Sequence, residues 1–164
     1  MEDYTSMIRV ILISVFLCVQ SCTKVDLVPS TADELISKIK QSKGEKAVLL
    51  NIWALWCVPC VEEFPMIVDL GVEHHDLEVV FISADFDDQV GEVRDFLDRN
   101  GVGPVSYIKK EKDESFILGI HPSWTGSLPF TIVYAKNSGN IVDLWEGKYP
   151  ESRFRTAIEV ALKS

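Results

Sequence analysis

Trp56-Cys57-Val58-Pro59-Cys60 sets two thiols three positions apart, with Pro immediately before the second and Trp before the first. Sulfurs at this spacing meet across one helical turn and close a small reversible disulfide, the chemistry of a dithiol–disulfide redox centre. Zinc is a competing use of such a pair, but a structural zinc site needs about four ligands. The chain has no second CxxC, and His74 and His75 are adjacent rather than spaced as a ligand pair. A purely structural disulfide is the other alternative, yet a bridge over so short a loop restrains little of the unfolded chain. The pattern therefore predicts a redox-active Cys57–Cys60 pair, with no metal and no organic cofactor.

The flanking residues show how the pair is positioned. Ala47-Val48-Leu49-Leu50-Asn51-Ile52-Trp53 is a nearly continuous apolar run with β-branched residues, as expected of a central strand buried on both faces. After Cys60, apolar residues at Val61, Phe64, Ile67, Val68 and Leu70 follow roughly helical spacing. The cysteines thus sit where a buried strand hands over to a helix. Unpaired N–H groups of the first turn and the helix dipole favour negative charge on the leading sulfur. Cys57 is expected to be the thiolate nucleophile, with its pKa lowered. Cys60, one turn further in, is the less exposed resolving thiol. Pro59 costs little, since its missing N–H falls among donors without intrahelical partners.

Four cysteines occur, at positions 18, 22, 57 and 60. Val10 to Val19 is uncharged and apolar, preceded by Arg9 and followed by Gln20-Ser21-Cys22. Residues 1–21 resemble a signal peptide whose cleavage leaves Cys22 as a lipid-modified N-terminus; an ordinary cleaved signal is the rival, since Glu2, Asp3, Val19 and Gln20 fit the lipoprotein pattern poorly. Ten apolar residues fall short of the roughly 20 that span a bilayer. Residues 22–30 are expected to be a polar tether and residues 31–164 a single domain. Formal charge is −9; residues 1–21 carry Glu2, Asp3 and Arg9, net −1, which leaves −8 for the remainder. So acidic a surface argues against nucleic acid.

Along the domain, Thr31-Ala32-Asp33-Glu34 predicts a capping box opening a helix to about residue 41. Strands are expected at 46–53 and 77–83, an edge strand at 104–108, and helices at 58–70, bent at Pro65, and at 88–99. A helical turn is expected at 115–118. Residues 130–135 and 141–145 flank Lys136-Asn137-Ser138-Gly139-Asn140, which is turn chemistry and predicts an antiparallel hairpin. A final helix is expected at 151–162. The alternation implies an α/β domain with a mixed central β-sheet flanked by helices.

Residues 56–65 resemble the W-C-x-P-C-x-x-E-x-P signature of TlpA/ResA-like proteins, the exported and often membrane-tethered branch of the thioredoxin superfamily. The likeness covers nearly all of residues 31–163 and includes Asn51, where cytoplasmic thioredoxins carry a buried Asp, and Leu128-Pro129-Phe130-Thr131 opening the hairpin. It implies a thioredoxin-like fold. It also implies that Pro129 is a cis-proline facing the cysteines, with the Leu128 backbone free to pair with an extended substrate; the residues alone allow a trans-Pro that starts a strand. Glu63 follows Cys60 by one turn, and the family pattern suggests that it passes protons to and from that thiol. A solvated first-turn Glu is the alternative, and suits Glu62 better.

Further candidates are Trp56, covering the disulfide and keeping water from Cys60, and Trp53, packed in the core behind it. Trp124 and Gly126 are candidates for a substrate groove, and Gly147 for close approach of a bound peptide. His74, His75 and His121 are expected at the surface.

The resemblance implies an exported, membrane-tethered, monomeric thiol–disulfide oxidoreductase of the cell envelope. Its implied substrates are extracytoplasmic protein disulfides such as apocytochrome c, and its implied electron donor is a membrane thiol transporter. An oxidase or isomerase on the same scaffold remains open, because Val58-Pro59 does not fix redox poise. So does a copper- or haem-handling chaperone, which the absence of a nearby His or Met ligand pair disfavours.

Overall fold

The computed structural model of the protein describes residues 24–164; residues 1–23, which carry the expected signal peptide, Cys18 and the lipidation candidate Cys22, lie outside the described residues. Strands β1 (Asp26–Ser30), β2 (Ala47–Trp53), β3 (Leu77–Ser83), β4 (Val105–Lys109), β5 (Phe130–Tyr134) and β6 (Ile141–Glu146) form one sheet in the order β1-β4-β3-β2-β5-β6. The β1–β4, β4–β3 and β3–β2 pairs are parallel, and β2–β5 and β5–β6 antiparallel. Helices α1 (Ala32–Gln41), α2 (Val58–Glu73), α3 (Val90–Arg99), α4 (Asp113–Ile120) and α5 (Glu151–Lys163) flank it. The expected mixed sheet is thus present.

All seven residues of β2 are buried, because alternate side chains serve separate cores. Leu49 and Trp53 join Phe64, Ile67, Leu97 and Phe154 beneath α2, α3 and α5. Val48, Leu50 and Ile52 join Leu35, Ile39, Phe116 and Trp124 beneath α1 and α4. Trp53 is fully buried and packs against Phe64 and Phe96 with ring centroids 4.7 and 4.9 Å apart, as expected of the core aromatic behind the cysteines. The Thr31–Glu34 capping box forms, each residue's side chain accepting the other's main-chain N–H. Helix α2 continues through Pro65 to Glu73, and the turn expected at 115–118 extends into the whole of α4.

One expectation fails. Residues 26–30, placed in the polar tether, form β1. Asp26 N–H donates to Pro104 O at 2.8 Å, Val25 N–H to Asp98 Oδ1 at 2.8 Å, and Val25 and Leu27 are buried in the α2–α3–α5 core. Pro29 is tolerated because β1 is an edge strand, where a missing donor breaks no inner ladder. Among the described residues no helix is long and apolar enough to cross a membrane.

The buried face of β1 makes it part of the folding unit. Leu27→Ala is expected to lower stability by about 2–3 kcal/mol in guanidinium unfolding, the cost of removing a buried leucine side chain. A free tether at this position would give no measurable change.

Candidate active site

Four residues convert the buried end of β2 into the first turn of α2. Ala54 to Cys57 is a turn closed by Cys57 N–H donating to Ala54 O at 3.1 Å. Cys57 is the N-cap of α2, with extended backbone, and its Sγ accepts the Cys60 N–H at 3.3 Å. The helix has no acidic residue in its first turn, so no carboxylate of that turn opposes the pull of the N-terminal amides on this sulfur. Cys57 and Cys60 are joined in a disulfide with Cα atoms 5.3 Å apart. Cys57 is 6% exposed and Cys60 1%. The leading sulfur is therefore the more accessible of the two, and Pro59 occupies the first helical turn as the sequence suggested.

Glu63 is 3% exposed on the α2 face that packs against the sheet. Its Oε1 accepts a long 3.4 Å hydrogen bond from Asn51 Nδ2, which also donates to Thr131 Oγ1 at 3.0 Å. Its Oε2 has no hydrogen-bond partner. Burial pushes this carboxyl up to about 7, against weaker downward pulls from the Asn51 amide, the Lys148 charge and the Tyr149 backbone. Glu62, by contrast, is exposed and pairs with Lys148 Nζ at 2.6 Å.

The far side of the site comes from the β5 and β6 ends. The Leu128–Pro129 peptide is cis. Pro129 O accepts the Gly147 N–H at 2.8 Å, with Gly147 at φ +85°. No main-chain hydrogen bond among the described residues engages Leu128. Thr125 donates through both N–H and Oγ1 to the Glu146 carboxylate, which ties the loop before Pro129 to β6. Trp124 is buried, stacked on Phe130 at 4.9 Å, and its Nε1–H donates to Ser127 O at 2.9 Å.

Trp56 lies in the turn directly before Cys57. Its side chain is 58% exposed, and it lines a cavity of about 130 Å³ with Phe86, Ile117, Trp124, Gly126 and Leu128. Cys60 is enclosed by the core cluster that contains Trp53 and Phe64. Gly126 has φ +93°, and a Cβ there would fall 2.9 Å from Ile117 Cδ1, so both backbone and space call for glycine beside this cavity. The structure thus brings Trp124, Gly126, Leu128 and Trp56 together around one cavity, and Gly147 beside Pro129.

Sequence reasoning missed two groups. Asp85, just beyond β3, is a buried carboxylate bonded to the turn that carries Cys57, and burial holds it above the usual carboxylate range. Ser-Ala-Asp after a strand carries no signal that such a contact exists. Lys148, in the loop after β6, reaches the Glu62–Glu63 end of α2. That loop is anchored by Arg153, whose guanidinium lies 4.6 Å from the Trp145 ring, 4.3 Å from the Tyr149 ring, and pairs with Asp143. His75 is exposed and His74 and His121 are half-buried.

No protein-family model matches the chain. It is 32% identical over 107 residues to the thiol-disulfide oxidoreductase ResA of Bacillus thuringiensis (strain Al Hakam), a match covering 65% of this chain and 57% of that protein. The ResA of Oceanobacillus iheyensis is also 32% identical, over 62% of this chain and 50% of its own length. The chain therefore spans little more than half the length of these curated relatives. Among solved structures, a thiol:disulfide interchange protein of the thioredoxin family from Chlorobium tepidum TLS matches with a TM-score of 0.60 at 23% identity, over 85% of this chain and 96% of that one. The exposed lipoprotein thioredoxin of Streptococcus pneumoniae strain TIGR4 matches with a TM-score of 0.54 at 17% identity, over 74% and 88%. The fold is thus thioredoxin-like, and over about two thirds of its length the chain is similar in sequence to ResA thiol-disulfide oxidoreductases.

Proposed function

We propose that the chain is a thiol–disulfide oxidoreductase, exported and tethered to a membrane, that reduces disulfides in extracytoplasmic proteins. The observation that carries this reading is the Cys57–Cys60 disulfide placed at the amide end of α2, with a buried carboxyl one turn behind it. In the reduced protein, the Cys57 thiolate attacks one sulfur of the partner's disulfide and the other leaves as a thiolate. Cys60 then loses its proton and attacks Cys57 Sγ, expelling the partner's second thiolate and forming the Cys57–Cys60 disulfide. Two electrons pass to the partner, and a membrane thiol donor restores the dithiol.

Glu63 suits the proton step. A carboxyl poised at about 7 both accepts and returns a proton near neutral pH, and Oε2 is left without a competing partner. Leu128, whose main chain is unengaged beside Pro129, would pair with an extended substrate segment; Trp56 and Trp124, which line a cavity with Leu128, and Gly147, bonded to Pro129 O, support that reading. Export and tethering rest on the apolar segment before Cys22 and on the relatives; apocytochrome c is the substrate to test first. The same thiols running in reverse would make an oxidase or isomerase, and the reduction potential separates the directions: a value near roughly −270 mV fits a reductase, one near −120 mV an oxidant.

Cys60→Ser is expected to trap specific exported proteins as mixed disulfides on Cys57 in native membranes, resolved by non-reducing electrophoresis and mass spectrometry, while Cys57→Ser traps none. Equal trapping by both variants, or by neither, would overturn the assignment.

Glu63 also gives a stability signature. Its folded pKa lies above its unfolded value, so its contribution is fully present below about pH 4.5 and is lost as pH rises through about 7. The oxidised wild type should lose up to about 3 kcal/mol of unfolding free energy between pH 5 and pH 8 from this group. Glu63→Gln should flatten that part of the denaturant-derived pH profile.

A further inference from the structure

Asp85 is 2% exposed, and its carboxylate joins the segment after β3 to the turn after β2. On its own side, Ser83 Oγ–H donates to Oδ2 at 2.8 Å and accepts the Asp85 main-chain N–H at 3.1 Å. Across the gap, Leu55 N–H donates to both oxygens, at 3.0 and 3.1 Å. A second bond, Ala84 N–H to Trp53 O at 2.8 Å, ties the same segments one step back. Leu55 is the second residue of the Ala54–Cys57 turn, whose closing bond uses Cys57 N–H and leaves Leu55 N–H without a partner inside the turn. A main-chain donor in such a place must find an acceptor, and the Asp85 carboxylate is that acceptor.

We propose that Asp85 is a positioning residue of the redox centre: by holding the Leu55 amide it fixes the pitch of the Leu55-Trp56-Cys57 turn and so sets where Cys57 Sγ stands against the amides of α2. The inference rests on Cys57 being the attacking thiol. The pull of a helix terminus on a charge fades within one turn, so a small displacement of Cys57 weakens its thiolate. Replacing the carboxylate changes the thiol's reactivity through the turn, without touching either sulfur or the substrate surface.

The test follows alkylation of Cys57 in the reduced full chain by iodoacetamide, read on the Cys57 peptide by mass spectrometry, from about pH 4 to 10. Asp85→Asn keeps an oxygen for Leu55 N–H, and its profile should stay within about twofold of wild type. Asp85→Ala removes the acceptor and should slow alkylation at pH 7 about tenfold, moving the midpoint up by about one unit. Leu55→Pro removes the donor instead, at a turn position where Pro is favoured. It should give the same loss, and the double variant should lose no more than either single one.

An unchanged profile in Asp85→Ala overturns the proposal, as do equal shifts in the Asn and Ala variants, which would mark a charge effect, and strictly additive losses in the double variant. If Asp85→Ala does not fold, Leu55→Pro and Asp85→Asn decide: a loss in the first without one in the second supports the inference, and any other pattern overturns it. A wild-type Cys57 with an ordinary thiol midpoint instead overturns the redox reading itself.

Discussion

A strand buried on both faces has to become a helix within the four residues after Trp53, and the site depends on that abrupt change. The turn places Cys57 at the head of α2, where the helix amides converge on its sulfur. Because α2 then lies on the sheet, the residues one and two turns in are forced into the core, which encloses Cys60 and takes the Glu63 carboxyl out of water. The same face of β2 supplies Asn51, the amide that meets Glu63. Cys57, Cys60 and Glu63 therefore share one origin in the β2–α2 junction.

The other half of the site arrives from far along the chain through strand pairing. Asn51 stands opposite Thr131 in the antiparallel β2–β5 register, so the residues just before β5 fall beside the turn that holds Cys57. β6 continues the sheet, and its exit loop returns Gly147 to Pro129 and Lys148 to α2. Arg153, layered on Trp145 and Tyr149 and paired with Asp143, keeps that loop against the domain. An Arg held on aromatic faces keeps its charge at any working pH, so this anchor does not loosen when Glu63 titrates.

What the sequence made legible was whatever is encoded locally. The CxxC spacing, the apolar run of β2, the helical period after Cys60, the Thr31–Glu34 cap and the Asn-Ser-Gly turn each announce their structure within a few residues, and each is present. β1 was missed because five residues with Asp and Pro carry almost no strand signal; only pairing with β4, nearly 80 residues away, and burial of Leu27 make them a strand. Asp85 and Lys148 act across gaps of 30 and 86 residues, and no periodicity or motif reports contacts of that kind.

The run of parallel strands from β1 to β2 also gives the domain a polarity. β1 points the same way as β2, and the β1–β4, β4–β3 and β3–β2 registers set Asp26 level with Leu50, so the chain enters the sheet about 10 Å, along the strand direction, behind the end of β2 that leads to the disulfide. The C-terminal ends of the parallel strands therefore carry the cysteines, and a partner that reaches them leaves the point where β1 begins uncovered.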